Sequence, residues 1–90
     1  MKNKVIFISL DDWKVIYFNG QLFNQGHYIS DKKLIRLGML MHEAKIDISD
    51  IIDVYIDSDS VSDESILWNW GNCVEQLHDE IKEIINKNID

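Results

Sequence analysis

The chain reads as α+β: three strands, a helix, a fourth strand and a second helix, in the order β-β-β-α-β-α. The strands are expected to form a small, mostly antiparallel sheet of about four. Three observations predict this. The β-prone run Trp13–Phe18 leads into Asn19-Gly20, a pair that favours a two-residue hairpin because both residues tolerate positive φ. Ile52, Val54 and Ile56 alternate with Asp53, Tyr55 and Asp57, the period of a half-buried strand. Apolar residues recur at helical spacing twice, once before that strand and once after it.

Val5-Ile6-Phe7-Ile8 is almost continuously apolar and reads as a strand buried on both faces. Asp11-Asp12 turn the chain into the hairpin. A two-residue loop pairs Phe18 with Gln21, Tyr17 with Leu22 and Ile16 with Phe23. One hairpin face then carries Trp13, Val15, Tyr17 and Leu22, and the other Lys14, Ile16, Phe18 and Phe23. Both faces are apolar near the turn, so both need cover from helices or from another subunit. Gly26 ends the third strand. Ser30 suits a helix N-cap, with Asp31 in the first turn where the helix dipole favours an anion. Leu34, Leu37, Met41 and Ala44 predict a helix stopping near Lys45. Gly38 inside it costs ~1 kcal/mol against alanine and is placed for a close approach to the sheet.

After the fourth strand, residues 57–63 form a Ser/Asp loop that ends in a cap at Ser60 or Ser62. Leu67, Trp70, Val74, Leu77, Ile81 and Ile84 then follow a heptad pattern. They predict a long C-terminal helix from about Asp63 to Asn88, roughly 38 Å in length. A domain of this size is roughly 30 Å across, so the helix is expected to project beyond it or lie on another chain. That helix and the two-faced hairpin together predict a homodimer. Strand order is left open beyond the hairpin.

Ninety residues, 46% hydrophobic and 28% charged, predict one globular domain over 1–90. No apolar run approaches the ~18 residues of a membrane span. The apolar stretch near the start ends at Asp11-Asp12 without a small-residue cleavage site, unlike a signal peptide. A single cysteine, Cys73, allows no internal disulfide and no zinc site built on cysteine pairs. A reducing, cytoplasmic setting follows. Eight lysines against one arginine, fifteen isoleucines and no proline suggest an AT-rich gene, as in a bacterium or its phage.

Charge is segregated. From Glu43 to Glu83 twelve carboxylates face two lysines, whereas residues 1–42 hold six cations and three acids. Such a field repels nucleic acid and anionic membrane and attracts basic protein surfaces. Basic residues interleaved with aromatics, which would mark a single-strand binder, are missing.

Candidate chemistry is sparse. Asp57 and Asp59 at a strand end can be read as a divalent-metal site, but an EF-hand starting at Asp57 would meet Ser62 where glycine is needed and Trp68 where glutamate is needed. His27, His42 and His78 form no pair at metal-binding spacing. Cys73 is expected inside the last helix as buried filler. No triad or paired-acid motif is present, so a non-enzyme without a cofactor is expected.

On the predicted long helix Trp68 points roughly 160° from the apolar stripe. It shares that outer face with Glu64, Asn72, Glu75, Asp79 and Glu83. A large aromatic among carboxylates suits a binding hot spot. The function expected is therefore a small acidic inhibitor or adaptor that binds a basic, possibly nucleic-acid-handling, protein. Size and charge are those of bacterial immunity proteins and phage anti-defence proteins as a class, with no motif shared with any one family. The alternative is a small-ligand pocket between the hairpin and the first helix, contacted by Tyr17, His27 and Tyr28.

Overall fold

A central strand with apolar side chains on both faces must be covered twice, and the chain does so with two different layers. The computed structural model describes residues 3–89. In order come β1 (Val5–Ser9), β2 (Lys14–Phe18), β3 (Gln21–Gly26), α1 (Asp31–Glu43), β4 (Ile51–Tyr55) and α2 (Asp79–Lys87), with short 3-10 turns at Ile48–Asp50, Ser58–Ser60, Glu64–Trp68 and Val74–Gln76. The sheet order is β3-β2-β1-β4. β1 is antiparallel to β2 and parallel to β4, so the sheet is mixed and the fold is α+β in the order read from the sequence.

Asn19 (φ 51°) and Gly20 (φ 84°) form the hairpin turn with both residues left-handed, the geometry that matches strand twist. Phe18 faces Gln21 and Tyr17 faces Leu22, but Ile16 faces Asn24 rather than Phe23. Phe23 is the extra residue of a β-bulge, which shifts Asn24 opposite Ile16 and Gln25 opposite Val15; Phe23 packs on the face of Ile16 and Phe18.

That face packs against α1. Val5, Ile16, Leu37 and Met41 are buried together with Ile29 and Ile46. Ser30 caps α1 by accepting from the Lys33 amide at 3.3 Å. The helix ends as a Schellman motif: Ile46 N–H donates to Met41 O at 2.9 Å and Lys45 N–H to His42 O at 3.1 Å. Lys45 holds the left-handed position, φ 58°. Gly38 is exposed and a Cβ added there meets nothing within 4 Å, so it does not serve close packing on the sheet. Leu34, Ile35 and Met39 also remain exposed.

The opposite face carries Ile6, Ile8, Val15, Tyr17, Ile52 and Val54, buried under Leu67, Trp70, Val74, Leu77, Ile81 and Ile85. The cover is not the long helix expected. Among the described residues of this segment only Asp79–Lys87 is α-helical, and Cys73, expected in mid-helix, is extended with φ −146° and ψ 161°. The reason is backbone competition at the hairpin. Leu22 N–H donates to Asn72 O at 2.7 Å, and Val74 N–H donates to Gly20 O at 2.8 Å, so residues 72–74 are drawn out as a short bridge to Gln21. Tyr17 Oη donates to Gly71 O at 2.8 Å from a fully buried ring. Gly71 permits the tight turn that follows, because a Cβ there would stand 2.5 Å from Gln76 Cβ. His78 is the N-cap of α2, its Nδ1 accepting from Glu80 N–H at 3.1 Å. Asp79 and Glu80 occupy the first turn, where the dipole favours them. Glu80 also accepts from the Ser62 hydroxyl and amide, which ties the acidic loop to α2 and holds the Glu80 carboxyl below its usual range. Among the described residues no helix is long and apolar enough to cross a membrane.

Candidate functional site

A cleft of about 580 Å³ opens where the β1–β2 loop, the start of the β3–α1 loop, the end of β4 and the turn Glu64–Trp68 meet. It lies beyond the carboxyl ends of the two parallel strands, and its volume is in the ordinary range for ligand clefts. Leu10, Ile56 and Leu67 form its apolar floor. Trp13, Trp68 and Trp70, the three tryptophans of the chain, all line it. Its charged groups among the described residues are Asp11, Asp12 and Glu64, joined by His27 and Ser58; no described lysine or arginine lines it.

Most of the lining is held in place. Trp13 Nε1–H donates to Gln25 Oε1 at 3.0 Å, and its ring meets His27 edge-on with centroids 4.7 Å apart. His27 Nδ1 lies 2.7 Å from Asp12 O and 3.2 Å from Asp12 Oδ2. Both neighbours can only accept, so Nδ1 carries the proton. Asp11 Oδ1 accepts from Tyr55 Oη at 2.5 Å, a bond that raises the Tyr55 phenol above its usual range, with nearby Asp57 adding to the effect. Trp70 is buried and its Nε1–H donates to Leu67 O at 2.8 Å. Trp68 differs. It is 74% exposed, and among the described residues its indole N–H has no hydrogen-bond partner.

The residues singled out from the sequence are dispersed. Trp68 and Glu64 come together at the cleft. Asn72 lies in the bridge to the hairpin, Glu75 in the following turn, and Asp79 and Glu83 on α2; these four do not line the cleft, and the single helical face that would have gathered them does not exist. Tyr17 is core, not a ligand contact: burial first, and Cys73 beside it second, push its phenol up to about 12. Tyr28 is exposed and does not line the cleft. His27 does line a cavity, at the opposite end of β2 from the hairpin turn. Asp57 caps the turn Ser58–Ser60 by accepting from the Asp59 amide at 2.6 Å. Among the described residues no group of three or more His, Cys, Asp or Glu is disposed to hold a metal ion.

Asp11, Asp12, Trp13 and Trp70 escaped sequence reasoning as site residues. The available signal was the setting of the tryptophans: Asp11-Asp12-Trp13 at one turn and Trp68-Asn69-Trp70 just after the acidic loop. Comparison with family models, with curated proteins and with solved structures returns no match.

Proposed function

We propose that this chain is a non-enzymatic protein-interaction module, an inhibitor or adaptor that engages a basic partner protein. The observation that carries the reading is the exposed indole of Trp68 beside a cleft whose charged groups are carboxylates. Tryptophan dominates binding energy where a partner can desolvate it, and the net charge of −7 steers basic surfaces toward it. A bacterial or phage cytoplasm, where basic nucleic-acid-handling enzymes are abundant, is the proposed setting. The test is capture from a source-cell lysate, followed by titration of the purified partner across salt concentration. A basic protein whose affinity falls steeply with salt and collapses in Trp68→Ala supports the module. Affinity that ignores both salt and Trp68 refutes it.

A homodimer is the second reading. The long helix and uncovered hairpin that predicted it are absent, but Ile35 and Met39, one turn apart on α1, stand 65% and 62% exposed. A monomer mass that does not change with concentration in light scattering refutes it.

A further inference from the structure

We propose that the three-tryptophan cleft is a seat for a guanidinium group: one arginine side chain of the partner lies on the indole surface and directs its N–H groups to the cleft carboxylates. This rests on the reading that the chain binds a basic protein, and it names the group that the protein contributes.

The walls argue first. The N–H groups of Trp13 and Trp70 are committed to Gln25 and Leu67. These two indoles therefore line the cleft with aromatic carbon and no free donor. The face of an aromatic ring is negative and attracts cations, tryptophan most strongly.

The polar groups argue second. Asp11, Asp12 and Glu64 present acceptors only. The Nδ1 proton of His27 is turned onto Asp12. An anion would meet three carboxylates with no lysine or arginine among the described lining residues. A neutral apolar ligand would strip water from those carboxylates without replacing their hydrogen bonds. A donor-rich cation satisfies both the π surface and the acceptors.

The choice among cations comes third. A lysine ammonium is a compact, strongly hydrated point charge. A guanidinium is flat, weakly hydrated, stacks on aromatic rings and carries five donors in a fork that matches carboxylates. A cleft with indoles and several separate carboxylates fits the second geometry. The site is also largely preorganised, which lowers the cost of binding. Trp13, His27, Asp11 and Trp70 are each tethered by a hydrogen bond. Trp68 is left exposed to close over the guest.

The test uses the whole chain and the peptide acetyl-Gly-Arg-Gly-amide at low salt, against the same peptide with lysine or with citrulline, the uncharged isostere of arginine. Indole N–H resonances and tryptophan fluorescence report binding. The expected result is saturable shifts of the indole signals, with arginine at least tenfold tighter than citrulline and tighter than lysine. Trp68→Ala and Glu64→Gln should each weaken arginine binding severalfold while leaving the circular dichroism spectrum and melting temperature unchanged. Equal binding of citrulline, tighter binding of lysine, or arginine shifts confined to residues outside the cleft would overturn the assignment. If arginine fails while a basic partner is still captured in a salt-dependent way, the cleft assignment falls and the interaction module stands. Arginine binding without any basic partner would leave the cleft standing and remove the module.

Discussion

Tyr17→Phe removes one oxygen atom from the core and tests how the C-terminal segment is held on the sheet. The Tyr17 ring is fully buried, and its hydroxyl donates to Gly71 O at 2.8 Å. Deleting the hydroxyl loses a hydrogen bond and leaves the carbonyl without this donor. The expected cost is about 1–2 kcal/mol near neutral pH. The native phenol is raised to about 12 from its ordinary 10.0. Below pH 10 it is protonated in both native and unfolded chains, and its contribution is fully present. Between pH 10 and 12 the unfolded chain ionises first, so stability is lost as pH rises. Two pH units correspond to at most about 2.7 kcal/mol, and because the Tyr17–Gly71 hydrogen bond is only part-buried, screening lowers that to about 1–2 kcal/mol. Urea unfolding at pH 8 and pH 11, followed by far-UV circular dichroism, measures both effects. Tyr28, Tyr55 and Cys73 are common to both proteins, so the difference between them isolates Tyr17. The wild type should lead by about 1–2 kcal/mol at pH 8, and the gap should shrink by about 1 kcal/mol at pH 11. A gap equal at both pH values, or absent at pH 8, would refute the reasoning.

Gly71→Ala should destabilise by about 1–3 kcal/mol, because its Cβ would stand 2.5 Å from Gln76 Cβ; a midpoint unchanged in urea would show that the turn has room. Gly38→Ala should do the opposite and stabilise by about 0.5–1 kcal/mol, since the new methyl meets open space on an exposed helix position; a fall in thermal midpoint would contradict the placement of α1. Lys45→Gly should also stabilise, by about 0.5–1 kcal/mol, because left-handed backbone costs an ordinary residue about 1–2 kcal/mol and glycine loses part of that gain to its greater freedom when unfolded; differential scanning calorimetry measures it, and an unchanged or lower midpoint would argue against the φ of 58° at this position.

Local chemistry was legible where it acts alone. Asn19-Gly20 specified the turn, Ser30 the start of α1, and the alternation from Ile52 to Ile56 the strand face that is buried. The region from Asp63 to His78 was not legible, for an identifiable reason. Leu67, Trp70, Val74 and Leu77 do bury on one side of the sheet, as their spacing requires. Two 3-10 turns joined by an extended segment meet the same spacing as an α-helix. What separates the two is the pairing of Asn72 and Val74 with Leu22 and Gly20, and no local periodicity encodes it. The bulge that moves Asn24 opposite Ile16 and Gln25 opposite Val15 is likewise not encoded by the two-residue alternation. Of the candidate site, Trp68 and Glu64 do share the cleft, but through a 3-10 turn rather than the helical face from which their grouping was read. Their neighbours Asp11, Asp12 and Trp13 arrive from the opposite end of the chain, through sheet topology alone.

That topology has a consequence for synthesis of the chain. The α1 side of the sheet closes with residues up to Ile46, but the other side has no cover until Leu67–Ile85 are made. A ribosome adding ~5–20 residues per second therefore leaves Ile6, Ile8, Val15 and Tyr17 waiting for several seconds beside a finished hairpin. Contacts between such distant segments also fold slowly. The nascent chain thus carries a transient greasy surface that invites chaperones or other nascent chains, and completion of the last helix is the event that removes it.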